Sequence, residues 1–167
     1  MPLENYTIIP NVNTNSTQRF TATPADIISM EKMLNITTDE DYKTYVTTYG
    51  CGILGGTYIR VYLPQVATAL QKEWLERITQ YWFWDEGKEI LTKEQVLQSV
   101  VLGDTLDGDE IISYHQQYYV LPRHQEMIYK IGDTLGDAIS WLCNTGILTE
   151  AFEEREFEPF DPADYQQ

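Results

Sequence analysis

The sequence predicts an α+β fold of one domain, with a mixed, mostly antiparallel β-sheet flanked by N-terminal, inserted and C-terminal helices. Three observations lead to this prediction. The chain has 167 residues, 43% of them hydrophobic, which suits one domain with a full core. Apolar residues recur at helical spacing in some segments and alternate with polar residues in others. Glycine, proline, asparagine and aspartate separate these segments and mark turns.

Two helices are predicted near the N-terminus, after an arm or loop over residues 1–23. Thr23 can cap a helix over Pro24–Leu34, because proline is tolerated at the first helical position. Thr38 is expected to cap a second helix, which carries aromatic residues at helical spacing and ends at Gly50.

A strand and a long inserted helix are predicted next. The glycine-rich residues 50–56 are interpreted as turns, and Thr57–Leu63 alternates apolar with polar residues as a strand with one buried face does. Pro64 then begins a helix that continues to about Trp82, and Asp85-Glu86-Gly87 closes it. A further helical turn is expected at residues 93–98.

The second half of the chain is predicted to supply most of the sheet and the last helix. The strands are expected at Val100–Leu102, Ile111–Tyr114, Tyr118–Leu121 and about Met127–Ile131. An Asp-Gly turn joins the first two strands. Thr134 can cap a helix that ends near Gly146. The domain is therefore assigned to residues 24–160, with residues 161–167 as an acidic, polar tail.

The composition restricts the classes of partner. Lys and Arg total 11 and Asp and Glu total 26, giving a net charge of −15. Such a charge repels nucleic acid and anionic membranes and attracts a cationic protein. The alternative interpretation is that the charge serves solubility alone. The sequence has no apolar run of about 18 residues, and Cys51 and Cys143 have apolar or small neighbours, as buried thiols do. We therefore expect a cytoplasmic protein, as a monomer or weak dimer, that binds neither nucleic acid nor membranes.

One cluster of carboxylates raises the question of catalysis. Asp104, Asp107, Asp109 and Glu110 could bind a hard cation or share acid–base chemistry. Their spacing does not fit a calcium loop, and the Asp-Gly and Gly-Asp pairs favour a turn. The two histidines and two cysteines form no zinc or nucleophile motif. The sequence thus predicts no catalytic residue, metal or cofactor.

Two segments are candidates for a protein contact surface, in addition to the four carboxylates of that cluster. At least one aromatic residue of Trp82-Phe83-Trp84 must point away from any single buried helix face, and Asp85 follows directly. Trp82, Trp84 and Asp85 are therefore candidate partner-binding residues. The alternative interpretation is an aromatic corner covered by a loop. The second candidate is the acidic C-terminal region, where Glu153 and Glu154 lie close to Phe152 and Phe157.

Several segments together resemble the SUKH superfamily, whose bacterial members are mostly immunity proteins. Val101–Ile112 resembles its Gly-Asp turn segment, and Tyr119–His124 is similar to its strand that ends in an arginine-containing turn. Ile131–Leu142 resembles its closing helix. Tyr45–Leu63 and Phe157–Phe160 are similar to further elements. The order and spacing of these segments extend the resemblance over residues 36–160.

The resemblance implies a mixed sheet with flanking helices, no catalytic residues and a protein-binding role. For a bacterial member it implies neutralisation of a cognate toxin, often a nuclease or deaminase, by direct binding. Two other hypotheses stay open. One is an intracellular regulatory or scaffolding module with a partner that is not a toxin, and the other is a metal-dependent hydrolase built on the carboxylate cluster.

Overall fold

The computed structural model describes residues 3–55, 58–153 and 155–165, and its strands form one eight-stranded sheet. The strands are β1 (Thr7–Ile8), β2 (Gly52–Leu54), β3 (Ile59–Val61), β4 (Val100–Thr105), β5 (Glu110–Tyr114), β6 (Gln117–Leu121), β7 (Tyr129–Gly132) and β8 (Glu156–Pro159). Their order across the sheet is β1-β8-β2-β3-β4-β5-β6-β7. Only β1 and β8 pair in parallel within this sheet.

Five α-helices flank this sheet in the described residues. They are α1 (Pro24–Leu34), α2 (Glu40–Thr48), α3 (Pro64–Gln80), α4 (Lys93–Leu97) and α5 (Leu135–Asn144), with short 3-10 helices at Asp85–Gly87 and Pro162–Tyr165. The predicted α+β fold with a mixed, mostly antiparallel sheet is confirmed. No helix in the described ranges is both long and apolar enough to cross a membrane.

The middle of the sheet is covered on both faces, which makes two cores. In β4, Val100 and Leu102 belong to the core beneath α1, α2 and α5, whereas Val101 belongs to the core beneath α3 and α4. Ile111 and Ile112 of β5 divide in the same way. Because successive strand residues face opposite sides, a run of apolar residues serves both cores.

The start of α2 corrects one prediction. Thr38 is not the cap, since it is buried and donates both its N–H and its hydroxyl to the Glu31 carboxylate. Asp39 is the cap, and its carboxylate accepts the Tyr42 N–H. Threonine and aspartate both cap helices well, so the sequence alone does not decide between neighbours.

The Asp39 carboxylate also joins α2 to the rest of the domain. Its Oδ1 accepts the hydroxyl of the buried Tyr118 of β6 at 2.6 Å, and its Oδ2 accepts the N–H of Leu135, the first residue of α5, at 2.9 Å. Burial raises the pKa of Tyr118 well above its usual range, and the nearby Asp39 charge adds to this effect. One side chain therefore fixes two helix N-termini to the central sheet.

Three strands were not among the predicted elements. The segment 1–23, expected to be an arm or loop, contains β1; the glycine segment contains β2; and the acidic C-terminal region contains β8. A Cβ on Gly52 would lie 2.4 Å from the Glu158 carbonyl oxygen and 2.5 Å from the Phe157 ring, so glycine here permits β2 to approach β8. Two-residue and four-residue strands give too little alternation to be recognised.

Other boundaries moved by a few residues. The strand expected at Thr57–Leu63 is confined to Ile59–Val61, and Thr57 lies outside the described residues. The inserted helix ends at Gln80, two residues before Trp82. The strand expected at about Met127–Ile131 begins at Tyr129, since the residues before it form part of a loop.

The turn between β5 and β6 is strained. His115 and Gln116 have φ values of +50° and +66°, a conformation that glycine and asparagine adopt far more readily. Non-glycine side chains in this region cost free energy, so the surrounding structure must hold the turn.

We expect Asp39→Ala to lower the free energy of unfolding by about 3 kcal/mol, because it removes a cap and leaves a buried hydroxyl and an N–H without their acceptor. Urea denaturation measures this loss. Asp26→Ala is the matched control, since Asp26 contributes only to the capping box of α1, and it should cost about 1 kcal/mol or less. Equal losses in the two variants would contradict the bridging role of Asp39.

We expect Gln116→Gly to raise the free energy of unfolding by about 1 kcal/mol, because glycine adopts a positive φ without steric cost. Gln117→Gly, one residue later inside β6, should instead destabilise the protein. Thermal and urea unfolding of the two variants compare them directly. A destabilised Gln116→Gly variant would show that the side chain makes a contact that outweighs the strain.

Candidate protein-binding site

Three segments that are distant in sequence meet at one end of the sheet. They are Tyr81–Gly87 after α3, the turn Leu106–Gly108 between β4 and β5, and the loop Pro122–Ile128 between β6 and β7. The Trp84 indole N–H donates to the Pro122 carbonyl at 2.8 Å, and the Arg123 N–H donates to the Asp109 carboxylate at 3.0 Å. We call the surface formed by these three segments the hairpin-end surface.

Asp109 holds the turn of this surface in place. It is 3% exposed, and its carboxylate accepts the Thr105 hydroxyl at 2.9 Å, while its own N–H donates back to the Thr105 oxygen. Gly108 has a φ of +91°, and a Cβ there would lie 2.7 Å from Cδ of Arg123. Asp109 therefore serves the turn and presents almost no surface, whereas Asp107 at the tip is exposed.

The two carboxylates that flank the turn are engaged on the sheet. The Asp104 carboxylate accepts hydrogen bonds from Nε and Nη2 of Arg60, the first at 2.7 Å. It also accepts one from the Tyr62 hydroxyl at 2.9 Å. Glu110, directly opposite Asp104 in the register, pairs with Arg77 of α3. Burial raises the pKa of the Glu110 carboxyl, and the Arg77 guanidinium only partly opposes this rise.

The four predicted carboxylates thus have separate roles. Asp104 and Glu110 form ion pairs with arginines, Asp109 stabilises the turn, and Asp107 faces solvent. Within the described parts of the chain, no group of three or more His, Cys, Asp or Glu side chains is placed to hold a metal ion.

The aromatic segment divides between the core and the surface. Trp84 is 4% exposed and belongs to the core beneath α3, so it presents almost no surface. Trp82 is half-buried and packs edge-on against Trp84, with ring centroids 5.4 Å apart. Phe83, between them, is 61% exposed. Because the helix ends at Gln80, the next residues follow an extended path in which alternate side chains face opposite ways.

Phe83 was not among the predicted anchors. A helix predicted to end at Gln80 would have made Phe83 part of an extended segment and so separated it from the two tryptophans. Leu106 and Met127 were also missed, and they are 55% and 36% exposed on the same surface. Isolated apolar residues in loops give no sequence signal, since single exposed hydrophobic residues are common. Here the fold brings them to one end of the sheet.

Acidic residues surround these apolar side chains. A cavity of about 490 Å³ is lined by two of these acids, Glu86 and Glu126, together with Phe83, Met127, Arg123, His124 and Gln125. The hairpin-end surface contains four acids (Asp85, Glu86, Asp107 and Glu126) and one arginine, so its net charge is −3. Exposed apolar groups next to unneutralised acids suit a cationic protein surface better than a small apolar ligand.

The C-terminal candidate lies apart from these segments. Glu153 is exposed just after the Phe152 N–H donates to the Cys143 carbonyl at the end of α5. Glu154 lies outside the described residues. Arg155 pairs with Glu4 at 3.2 Å and leads into β8, which anchors this region between β1 and β2.

The fold and this surface define an α+β protein with an acidic, partly apolar surface at one end of its sheet. No protein-family model and no curated protein matches the chain. The similarity to the SUKH superfamily is therefore a prediction that depends on the order and spacing of the segments named above.

Glu110→Gln should reduce the dependence of stability on pH. Since the folded protein raises this pKa, it binds the proton more tightly than the unfolded chain. The wild type therefore gains stability from this group below the usual pKa of 4.5 and loses it as pH rises through the higher folded value. Urea denaturation between about pH 4.5 and neutral should show a smaller loss in the variant than in the wild type.

Glu126→Gln is the matched control, because it removes the same charge from an exposed position. If both variants changed the pH dependence of stability equally, the effect would come from net charge and not from the burial of Glu110.

Proposed function

We propose that this chain is a non-catalytic protein-binding module, and specifically a cytoplasmic immunity protein that neutralises a cognate toxin by direct binding. The observation that carries this proposal is the hairpin-end surface, where Phe83, Leu106 and Met127 are exposed among four acids. Within the class of non-catalytic protein-binding modules, the immunity role is inferred from the resemblance to the SUKH superfamily.

The apolar side chains provide the centre of an interface. Phe83 stands on a rigid support, because the neighbouring Trp84 is buried and hydrogen-bonded to Pro122. A rigid aromatic side chain that loses its water on binding is typical of the residues that dominate affinity. Met127 lines the same cavity as Phe83 and can adapt its shape to a partner, and Leu106 is exposed on the turn at the same end of the sheet.

The acids provide specificity and a fast encounter. A toxin domain that acts on nucleic acid, such as a nuclease or a deaminase, needs a cationic cleft for phosphates. In this proposal the cleft is met by four exposed acids of the hairpin-end surface, Asp85, Glu86, Asp107 and Glu126. Bound there, the chain would occlude the cleft and exclude the substrate, without any chemical step of its own.

The test is co-expression with the toxin domain encoded beside this gene. We expect the wild type to rescue growth and to form a stoichiometric complex. Phe83→Ala should weaken binding roughly 30-fold by surface plasmon resonance, as expected for an interface hot spot of about 2 kcal/mol. Ile28→Ala is the matched control, because Ile28 is an exposed apolar residue of α1 outside the hairpin-end surface.

The salt dependence tests the role of the acids. The association rate should fall as salt rises, and the double variant Asp85→Lys, Glu86→Lys should lower it further. Failure to rescue growth, together with no complex, would overturn the immunity role. A complex with a non-toxin protein through the same residues would instead favour a regulatory or scaffolding module.

A further inference from the structure

A second cavity, of about 370 Å³, lies at the opposite end of β5 from the hairpin-end surface. The turn between β5 and β6 forms one wall, and the connection from α1 to α2 forms another. The residues whose chemistry matters here are Asn35, Thr37, Gln98, Ser113, His115 and Gln116.

Backbone strain is concentrated at this cavity. Among the described residues, five that are not glycine have a positive φ, and three of them line it: Asn35 at +53°, His115 at +50° and Gln116 at +66°. Asparagine tolerates this conformation, but histidine and glutamine pay a cost. Asn35 is the C-cap of α1, and His115 and Gln116 are the two residues that join β5 to β6, so the strained part of the wall is the hairpin turn.

The lining contains no carboxylate, lysine or arginine, which contrasts with the rest of the chain. None of the eight residues around the cavity is Asp, Glu, Lys or Arg, although 22% of the chain is charged. A charged ligand would therefore find no carboxylate, ammonium or guanidinium group in the wall. The fit is to a neutral ligand.

The polar groups of the lining indicate that the ligand has both hydrogen-bond donors and acceptors. Amides at Asn35, Gln98 and Gln116 and hydroxyls at Thr37 and Ser113 can each donate and accept hydrogen bonds. In the described structure no protein group hydrogen-bonds to these five side chains, and all of them except the half-buried Ser113 are exposed, so a ligand would replace water at these groups. The Tyr114 and His115 rings, with centroids 4.3 Å apart, add an aromatic surface beside them.

From these features we propose that the cavity binds a small neutral saccharide. Sugar hydroxyls both donate and accept, as the amides and hydroxyls of the wall do, and the C–H face of a sugar ring packs on an aromatic surface. The site is separate from the hairpin-end surface, and its occupation does not depend on the proposed immunity role.

Titration followed by backbone amide NMR tests the proposal with defined sugars. Glucose, galactose, N-acetylglucosamine, maltose and cellobiose are each added to the full chain. We expect saturable shifts with at least one of them, confined to residues 35–37, 98 and 113–116. The absence of any saturable shift, or shifts centred elsewhere, would overturn the proposal. A response to a neutral blocked dipeptide but to none of the sugars would also overturn it and would indicate a peptide site.

Two variants then test the wall. Gln98→Ala and Gln116→Gly should each weaken saccharide binding roughly tenfold, since each removes hydrogen bonds to the ligand. Gln116→Gly relaxes the strained turn, so weaker binding by a well-folded variant cannot be ascribed to unfolding. Gln80→Ala, at the exposed end of α3, is the matched control and should bind as the wild type does. Wild-type affinity in both cavity variants would refute the assigned site.

Discussion

The Asp39 carboxylate is the contact on which the arrangement of the domain depends. It caps α2, accepts a hydrogen bond from the N–H of the first residue of α5 and accepts another from the hydroxyl of Tyr118, the second residue of β6. Asp41 adds a bond to the next N–H of α5, at Gly136. Two helix N-termini, each with a positive dipole end, thus meet two carboxylates, which stabilises both helices and fixes them to the sheet.

This arrangement determines where binding surfaces can form. Because helices cover both faces at the centre of the sheet, residues of β4, β5 and β6 are used mainly for packing. The loops at the strand ends remain accessible. One end combines exposed apolar groups with acids, and the other has a cavity without carboxylate, lysine or arginine beside a strained turn. The two ends of β5 thus offer surfaces of different chemistry, separated by the length of that strand.

The sequence predicted the elements with strong local signals and missed those that depend on distant partners. The α1 prediction has the observed bounds, because Thr23, Pro24 and the apolar spacing all favour the same start. By contrast, β1 forms by pairing with β8, and β8 forms by pairing with β1 and β2, so both strands depend on partners about 100 residues or more away in sequence. The same holds for the site: Phe83, Leu106 and Met127 become one surface only after Trp84 bonds to Pro122 and Asp109 to Arg123.

The carboxylates behind the strong negative charge fall into two groups, according to what each one contacts. Asp39, Asp104, Asp109 and Glu110 are used inside the fold, each with a hydrogen-bond donor or an arginine. Replacing any of these four carboxylates would lower the stability of the domain, whatever its effect on binding. Asp85, Glu86, Asp107 and Glu126 are exposed and cost the fold little to keep. Under the proposed function, the contribution of charge to recognition therefore comes from this second group, at the same end of the sheet as the exposed apolar side chains.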